Sequence, residues 1–200
     1  MGKIFYMMGK SASGKDTIFK KVQNVLSELK TIVLYTTRPI REGEQDGVEY
    51  FFVEEEKLEE LKAAEKIIEL RSYNTVHGIW NYFTADDNQI DLEQYSYLVI
   101  GTLVSYEKMR VYFGKDTLVP IYVEVEDGER LARALQRERQ QTEPKYAELC
   151  RRFLADSEDF SEDNLEKLGI KDRFQNKNMD KCIEEIVLYI RKKLCYNKIV

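Results

Sequence analysis

The stretch GKSASGKD, Gly9 to Asp16, constrains this chain more than any other because of what flanks it. Lys3 to Met8 (KIFYMM) is a short apolar run that reads as a buried strand. Thr17 to Leu29 carries Ile18, Val22, Val25, Leu26 and Leu29 at the three-and-four spacing of a helix with one buried face. Strand, glycine loop and helix, in that order, are the context in which GxxxxGK at Gly9, Gly14 and Lys15 becomes a phosphate cradle. The glycines let backbone N–H groups close around phosphate oxygens, the helix N-terminus adds its positive dipole, and Lys15 brings a full charge to the β- and γ-phosphates. The whole loop, with Lys10, Ser11, Ala12 and Ser13 between the glycines and Thr17 after them, is the candidate nucleotide site.

Asp16 stands where a Ser or Thr hydroxyl ordinarily meets Mg²⁺. A carboxylate is a harder and stronger Mg²⁺ ligand, but it also sets a negative charge near the phosphates. The residues leave three roles open: a direct metal ligand, a ligand through water, or a cap on the helix. Thr17 next door offers a hydroxyl in its place.

Composition narrows the setting. The 200 residues suffice for one well-buried domain with a small inserted lobe. Apolar residues make up 43% and charged residues 34%, as in ordinary soluble proteins. A net charge of −5 argues against a nucleic-acid partner, which needs a broad basic surface, but leaves room for small anions held by local arginines. Cys150, Cys182 and Cys195 are widely spaced and form no zinc pattern, so they read as reduced structural thiols. MGKIFYMMGK lacks the features of a secretory signal and no run is long enough to span a bilayer, so the expected location is cytoplasmic.

Beyond the loop, strands are predicted over Thr31–Thr37, Val48–Val53, Lys66–Tyr73, Tyr95–Gly101 and Thr117–Val125. Helices are predicted over Glu55–Glu65, Val104–Phe113, Asp127–Gln140 (opened by an Asp cap), from Pro144 to about Glu158, and over Met179–Leu194. The alternation implies an α/β fold with a mostly parallel sheet flanked by helices. The β-rich stretch that interrupts it forms a small inserted lobe.

GKSASGKDT, then TTRPIREGEQDGVEYFFV, then IIEL at Ile67 to Leu70, together resemble guanylate kinase, whose second signature runs approximately TTRxPRxGExxGxxYxFV. Thr36, Thr37, Arg38, Pro39, Arg41, Gly43, Glu44, Gly47, Tyr50, Phe52 and Val53 fall in that order, with one proline shifted. The resemblance implies a P-loop nucleoside monophosphate kinase using ATP with Mg²⁺. It also implies one domain: a core (1–33, 95–126 and 172–200), a nucleoside-monophosphate lobe (34–94) and a helical lid region (127–171). Its partners would be ATP and a nucleoside monophosphate, GMP by preference, with neither nucleic acid nor membrane, acting as a monomer or homodimer.

By the same resemblance Arg38, Arg41 and Tyr50 hold the GMP phosphate, which suits guanidinium forks and a phenol donor. Without it, RPIRE reads equally well as a solvated turn. Glu69 aligns with the glutamate that reads guanine, whose N1–H and N2–H₂ are adjacent donors that one carboxylate can accept. Periodicity alone would turn Glu69 outward between buried Ile68 and Leu70. Within YNTVHGIWNYFTADD, Tyr82 and Thr84 take the places of a phosphate tyrosine and a guanine hydroxyl, while His77 and Trp80 read as loop packing. Catalytic roles fall to Lys15, Arg38, Arg137 and Arg152, the last two as lid arginines; Arg139 neighbours Arg137, and Arg130 and Arg133 read as solvated. Asn176 borders adenine, and Asp16 is the candidate metal ligand.

Three departures from the family pattern bear on function. Leu34 replaces a serine that touches the base, and Gly101 and Thr102 stand where aspartates help organise substrate and Mg²⁺. Two rival readings follow: a related P-loop kinase acting on another phosphorylated acceptor, such as a ribose bisphosphate or a different nucleotide, or a non-enzymatic interaction module of the same family.

Overall fold

In the computed structural model, residues 1–75 and 78–195 are described. β1 (Ile4–Met8) runs through the glycine loop into α1 (Lys15–Val25), followed by β2 (Lys30–Thr31), β3 (Leu34–Thr36), β4 (Tyr50–Phe52) and α2 (Glu55–Ala63). Next come β5 (Ile67–Thr75), β6 (Gly78–Ala85), β7 (Tyr97–Ile100), α3 (Leu103–Phe113) and β8 (Leu118–Glu124). The chain continues through α4 (Asp127–Arg139), α5 (Tyr146–Asp159), α6 (Glu162–Lys167), β9 (Arg173–Gln175) and α7 (Met179–Cys195).

One sheet is wholly parallel, in the order β2-β7-β1-β8-β9. Every residue of β1 is buried, because successive side chains enter opposite layers. Ile4, Tyr6 and Met8 meet Leu103, Tyr106 and Met109 of α3, whereas Phe5 and Met7 meet Ile18 and Val22 of α1 and Ile186 and Ile190 of α7. Apolar residues at consecutive positions are what a strand covered on both faces requires. Each fully buried side chain of this kind contributes about 1.5–3 kcal/mol.

The second sheet, β4-β3-β6-β5, is mixed and carries its own small core of Leu58, Leu61, Phe83 and Ala85. It is the inserted lobe that the sequence predicts. The single strand expected over 31–37 is divided between the two sheets. Lys30–Thr31 pairs with β7, and Leu34–Thr36 pairs with β4 and β6. Gln89 secures the crossing: its side chain accepts from Val33 N–H at 2.8 Å and donates to Val33 C=O at 3.1 Å. A β-branched run marks strand, but not which sheet the strand joins.

Two short elements, α6 and β9, escape the sequence pattern. Phe160, Leu165, Leu168 and Ile170 pack into the core with Tyr6 and Tyr122, so this part of the expected lid region belongs to the body of the protein. The cap of α4 is also one residue earlier than expected, since the Glu126 carboxylate accepts from Glu129 N–H at 2.9 Å. No helix among the described residues is long and apolar enough to cross a membrane.

Candidate active site

The glycine loop sits at the C-terminal end of β1, at the head of α1. Gly9 lies so close to Val123 C=O that any Cβ would overlap it. Gly14 has φ +84°, and a Cβ there would stand 2.7 Å from Asn176 Nδ2. Both glycines are therefore fixed by geometry as well as by the motif. Asn176 is buried, and its amide donates to Ser13 C=O at 2.8 Å, so it braces the loop from behind. The resemblance sets Asn176 beside adenine, and in the structure its amide N–H bond is made to the loop backbone.

Lys15 Nζ lies 3.6 Å from the Asp16 carboxylate, whose side chain is 80% exposed. Gly14 is the N-cap residue of α1, and Asp16 is the acidic residue of its first turn, where a negative charge complements the helix dipole. Thr17 is exposed beside it. Lys10 Nζ pairs with Asp127 at 3.2 Å. Burial raises the Asp127 carboxyl, but hydrogen bonds from Lys10 and Arg130 outweigh it and hold the group below its usual range.

α5 meets the loop directly. Ser11 N–H donates to Asp156 Oδ2 at 2.7 Å, and Arg152 Nη2 donates to Ser11 Oγ at 3.0 Å. Arg137 and Arg139 stand exposed on α4. Of the two lid candidates, then, Arg152 touches the loop and Arg137 faces solvent. Arg130 overturns its reading as a solvated residue. It is 1% exposed, bonded to Asp127, Asp156 and Ser157, with its guanidinium 3.9 Å from the Phe153 ring centroid. Arg133 keeps the expected pair with Glu129 at 2.9 Å and also donates to Asn176 C=O. Arg130 joins α4 to α5, and Leu131 on the same helix is left exposed.

On the lobe side, Arg38 is 3% exposed and forms a two-pronged pair with Glu44, Nη1 to Oε2 at 3.1 Å and Nη2 to Oε1 at 2.8 Å. Its guanidinium lies 5.8 Å from the Tyr50 ring centroid, and the Tyr50 and Tyr82 rings meet edge-on at 5.6 Å. Arg41 is exposed on the adjoining turn, with its backbone N–H on Glu44. Burial raises the Tyr50 phenol pKa, with Tyr82 adding to the rise and the Arg71 and Arg38 charges opposing it. Tyr50 packs on the core layer that contains Met8, the residue before Gly9, which brings this cluster toward the loop.

Glu69 is wholly buried, contrary to the outward position that alternation gives. The cause is a one-residue register shift in β5: Ile67 pairs with Ala85, but Glu69 with Thr84. Such a bulge re-aims the side chains beyond it. Glu69 accepts from Thr84 Oγ at 3.0 Å and from Arg71 Nε and Nη2 at 3.0 and 3.2 Å. Arg71 is the site residue that sequence reasoning missed. The available signal was its i, i+2 spacing from Glu69 on a strand, which places both on one face. Trp80 lies on β6 opposite Tyr73, and His77 lies outside the described residues.

Leu34 is buried in the core and offers the site no polar group. Gly101 is more than a missing acid. A Cβ there would overlap the Tyr6 hydroxyl, with Tyr6 Cζ only 2.7 Å away. The buried Tyr6 phenol fills the space, and burial drives its ionisation well up. Gly101→Ala is expected to destabilise the protein by about 1–3 kcal/mol, as overpacking does, and Tyr6→Phe in the same chain, which removes the hydroxyl that the new methyl meets, to recover part of the loss. Thermal unfolding checks this; an unshifted midpoint for the single variant would mean that Tyr6 simply moves aside.

The guanylate kinase family model matches residues 1–87. A guanylate kinase of Legionella pneumophila (strain Lens) is 39% identical over 57 residues, a match covering 28% of this chain and 27% of that relative. The chain thus spans about a quarter of that relative's length in this match. A guanylate kinase of Thermotoga maritima is 28% identical over 207 residues, covering 95% of this chain and 86% of the relative. Among solved structures, guanylate kinase from Anaplasma phagocytophilum shares the fold, with TM-score 0.63 at 22% identity over 96% of this chain and 86% of that one. The likeness is thus strongest over residues 1–87, which hold the glycine loop, the second signature and Glu69, and over the whole chain it is one of fold.

Proposed function

We propose that this protein transfers the γ-phosphoryl group of MgATP to GMP, giving ADP and GDP. The observation that carries the reading is the convergence of two anion sites. Lys15 and the glycine loop form one, and Arg38 with Tyr50 and Tyr82 forms the other, with Tyr50 packed on the core layer that contains Met8, the residue before Gly9. Phosphoryl transfer needs mainly such alignment and neutralisation of two anions. The attacking phosphate oxygen is already ionised, so no general base is required. Arg152, already at Ser11, and Arg137, on the outer face of α4, are the arginines for the moving group's charge when the helices close. Asn176 serves ATP by holding the loop in shape.

The donor set fits a Mg²⁺ ion brought in by the nucleotide. Among the described residues no three metal-ligating side chains cluster, and Asp16 projects its exposed carboxylate beside Lys15. Mg²⁺ typically keeps several waters and takes one or two carboxylates plus phosphate oxygens. The ion would neutralise charge between the phosphates. Asp16→Ala is expected to raise the Mg²⁺ concentration for half-maximal activity by about tenfold, read from turnover against Mg²⁺ at fixed ATP; an unchanged requirement would remove Asp16 from the metal's surroundings.

A panel of acceptors with MgATP tests the proposal: GMP, AMP, IMP, CMP, UMP and a ribose bisphosphate. Turnover with GMP above the others is expected. Turnover with a non-guanine acceptor alone would replace GMP, and no turnover with any would favour an interaction module.

A further inference from the structure

The acceptor pocket contains a chemical double of guanine. Arg71 presents Nε–H and Nη2–H as two parallel donors to the Glu69 carboxylate, at 3.0 and 3.2 Å. Guanine's N1–H and N2–H₂ are the same guanidine arrangement, carried on a ring. A carboxylate has about four acceptor positions. Here Arg71 takes one on each oxygen and Thr84 takes a second on Oε1. The position left on Oε2 cannot accept two parallel donors, so a guanine edge and the Arg71 fork exclude one another at Glu69.

The displaced guanidinium needs another anion, since Arg71 is only 10% exposed and a buried unpaired cation is costly. The strand register supplies the direction. Glu69 pairs with Thr84, and Arg71, two residues on, pairs with Tyr82, which stands by Tyr50. The base end and the phosphate end of the pocket are thus one strand repeat apart on the same face. The third arm of Arg71, Nη1, has only a long contact of 3.4 Å to Thr102 Oγ and holds it weakly in place.

We propose that Arg71 is a substrate-exchanged, specificity-determining residue: it occupies Glu69 while the acceptor site is empty and passes to the acceptor's phosphate when a base with two parallel N–H donors takes its place. The exchange rests on the proposed function, with Glu69 facing the base and Tyr82 the phosphate. It keeps the buried carboxylate satisfied in both states. It also couples the two ends of the ligand, because the base can claim Glu69 cheaply only if a phosphate arrives with it.

This coupling gives the test. Guanosine displaces Arg71 without offering it a new partner, whereas GMP does both. In calorimetric titrations without ATP, Arg71→Met is expected to bind guanosine roughly tenfold more tightly than wild type and GMP roughly tenfold more weakly. A residue that merely supports the pocket would move both affinities the same way, and that result would overturn the exchange. If wild type binds neither ligand, the acceptor reading falls and the exchange with it; if wild type binds GMP and the variant shifts both ligands together, the exchange alone is wrong. Arg71→Lys, which keeps the charge but not the fork, covers the case in which Arg71→Met does not fold. It is expected to tighten guanosine while retaining most of the GMP affinity, and parallel losses for the two ligands would again overturn the proposal.

Discussion

Lys15→Ala is expected to lower GMP-dependent ADP release by about a thousandfold, or about 4 kcal/mol of transition-state stabilisation. Lys15 heads α1 beside the glycine loop and, among the described residues, pairs with the exposed Asp16 carboxylate alone. Its charge is therefore free for the β- and γ-phosphates, while its contribution to folding is that of a surface pair, within about 1 kcal/mol. A coupled ADP assay and a thermal melt read the two effects separately. Loss of turnover with an unchanged melt supports the phosphate role; a loss below tenfold would show that the loop's amides act without the lysine.

Glu69→Ala is expected to damage stability and function together, by different routes. Removing the carboxylate strands Arg71, and breaking a buried ion pair in this way costs about 3–5 kcal/mol. If Glu69 reads the base as proposed, the change also removes two charge-assisted hydrogen bonds to guanine, each worth about 1.5–3 kcal/mol, and GMP turnover is expected to fall at least about a hundredfold. The double variant Glu69→Ala with Arg71→Met separates the two routes, since the residues are in direct contact and their effects will not add. It is expected to regain most of the lost stability and none of the guanine turnover. Recovery of both would show that Glu69 acts only as the partner of Arg71.

The parts of this protein legible in its sequence are those set by local chemistry. A buried apolar strand, two glycines that tolerate no Cβ and a helix with one apolar face define the loop from a short window. The order of TTRPIREGEQDGVEYFFV carried Arg38, Glu44 and Tyr50 to one cluster. The illegible parts depend on register and on partners distant in sequence. One bulge turned Glu69 inward, which no alternation rule can foresee. Arg130 is buried because Asp156 and Phe153, 26 and 23 positions later, come to meet it, so the polar face of α4 is its packed face. Gly101 reads as a deletion of chemistry until Tyr6, on a neighbouring strand, is seen filling its space. α6 and β9 have six and three residues, too short for either periodicity to register.

The central claim is that the loop from Gly9 to Thr17 holds the polyphosphate of ATP with Mg²⁺. Titration calorimetry of the purified protein with ATP, in the presence of Mg²⁺ and then of a chelator, tests it directly. Binding with Mg²⁺, weakened by the chelator and abolished in Lys15→Ala, is the predicted result; absence of any heat of binding with MgATP would contradict it.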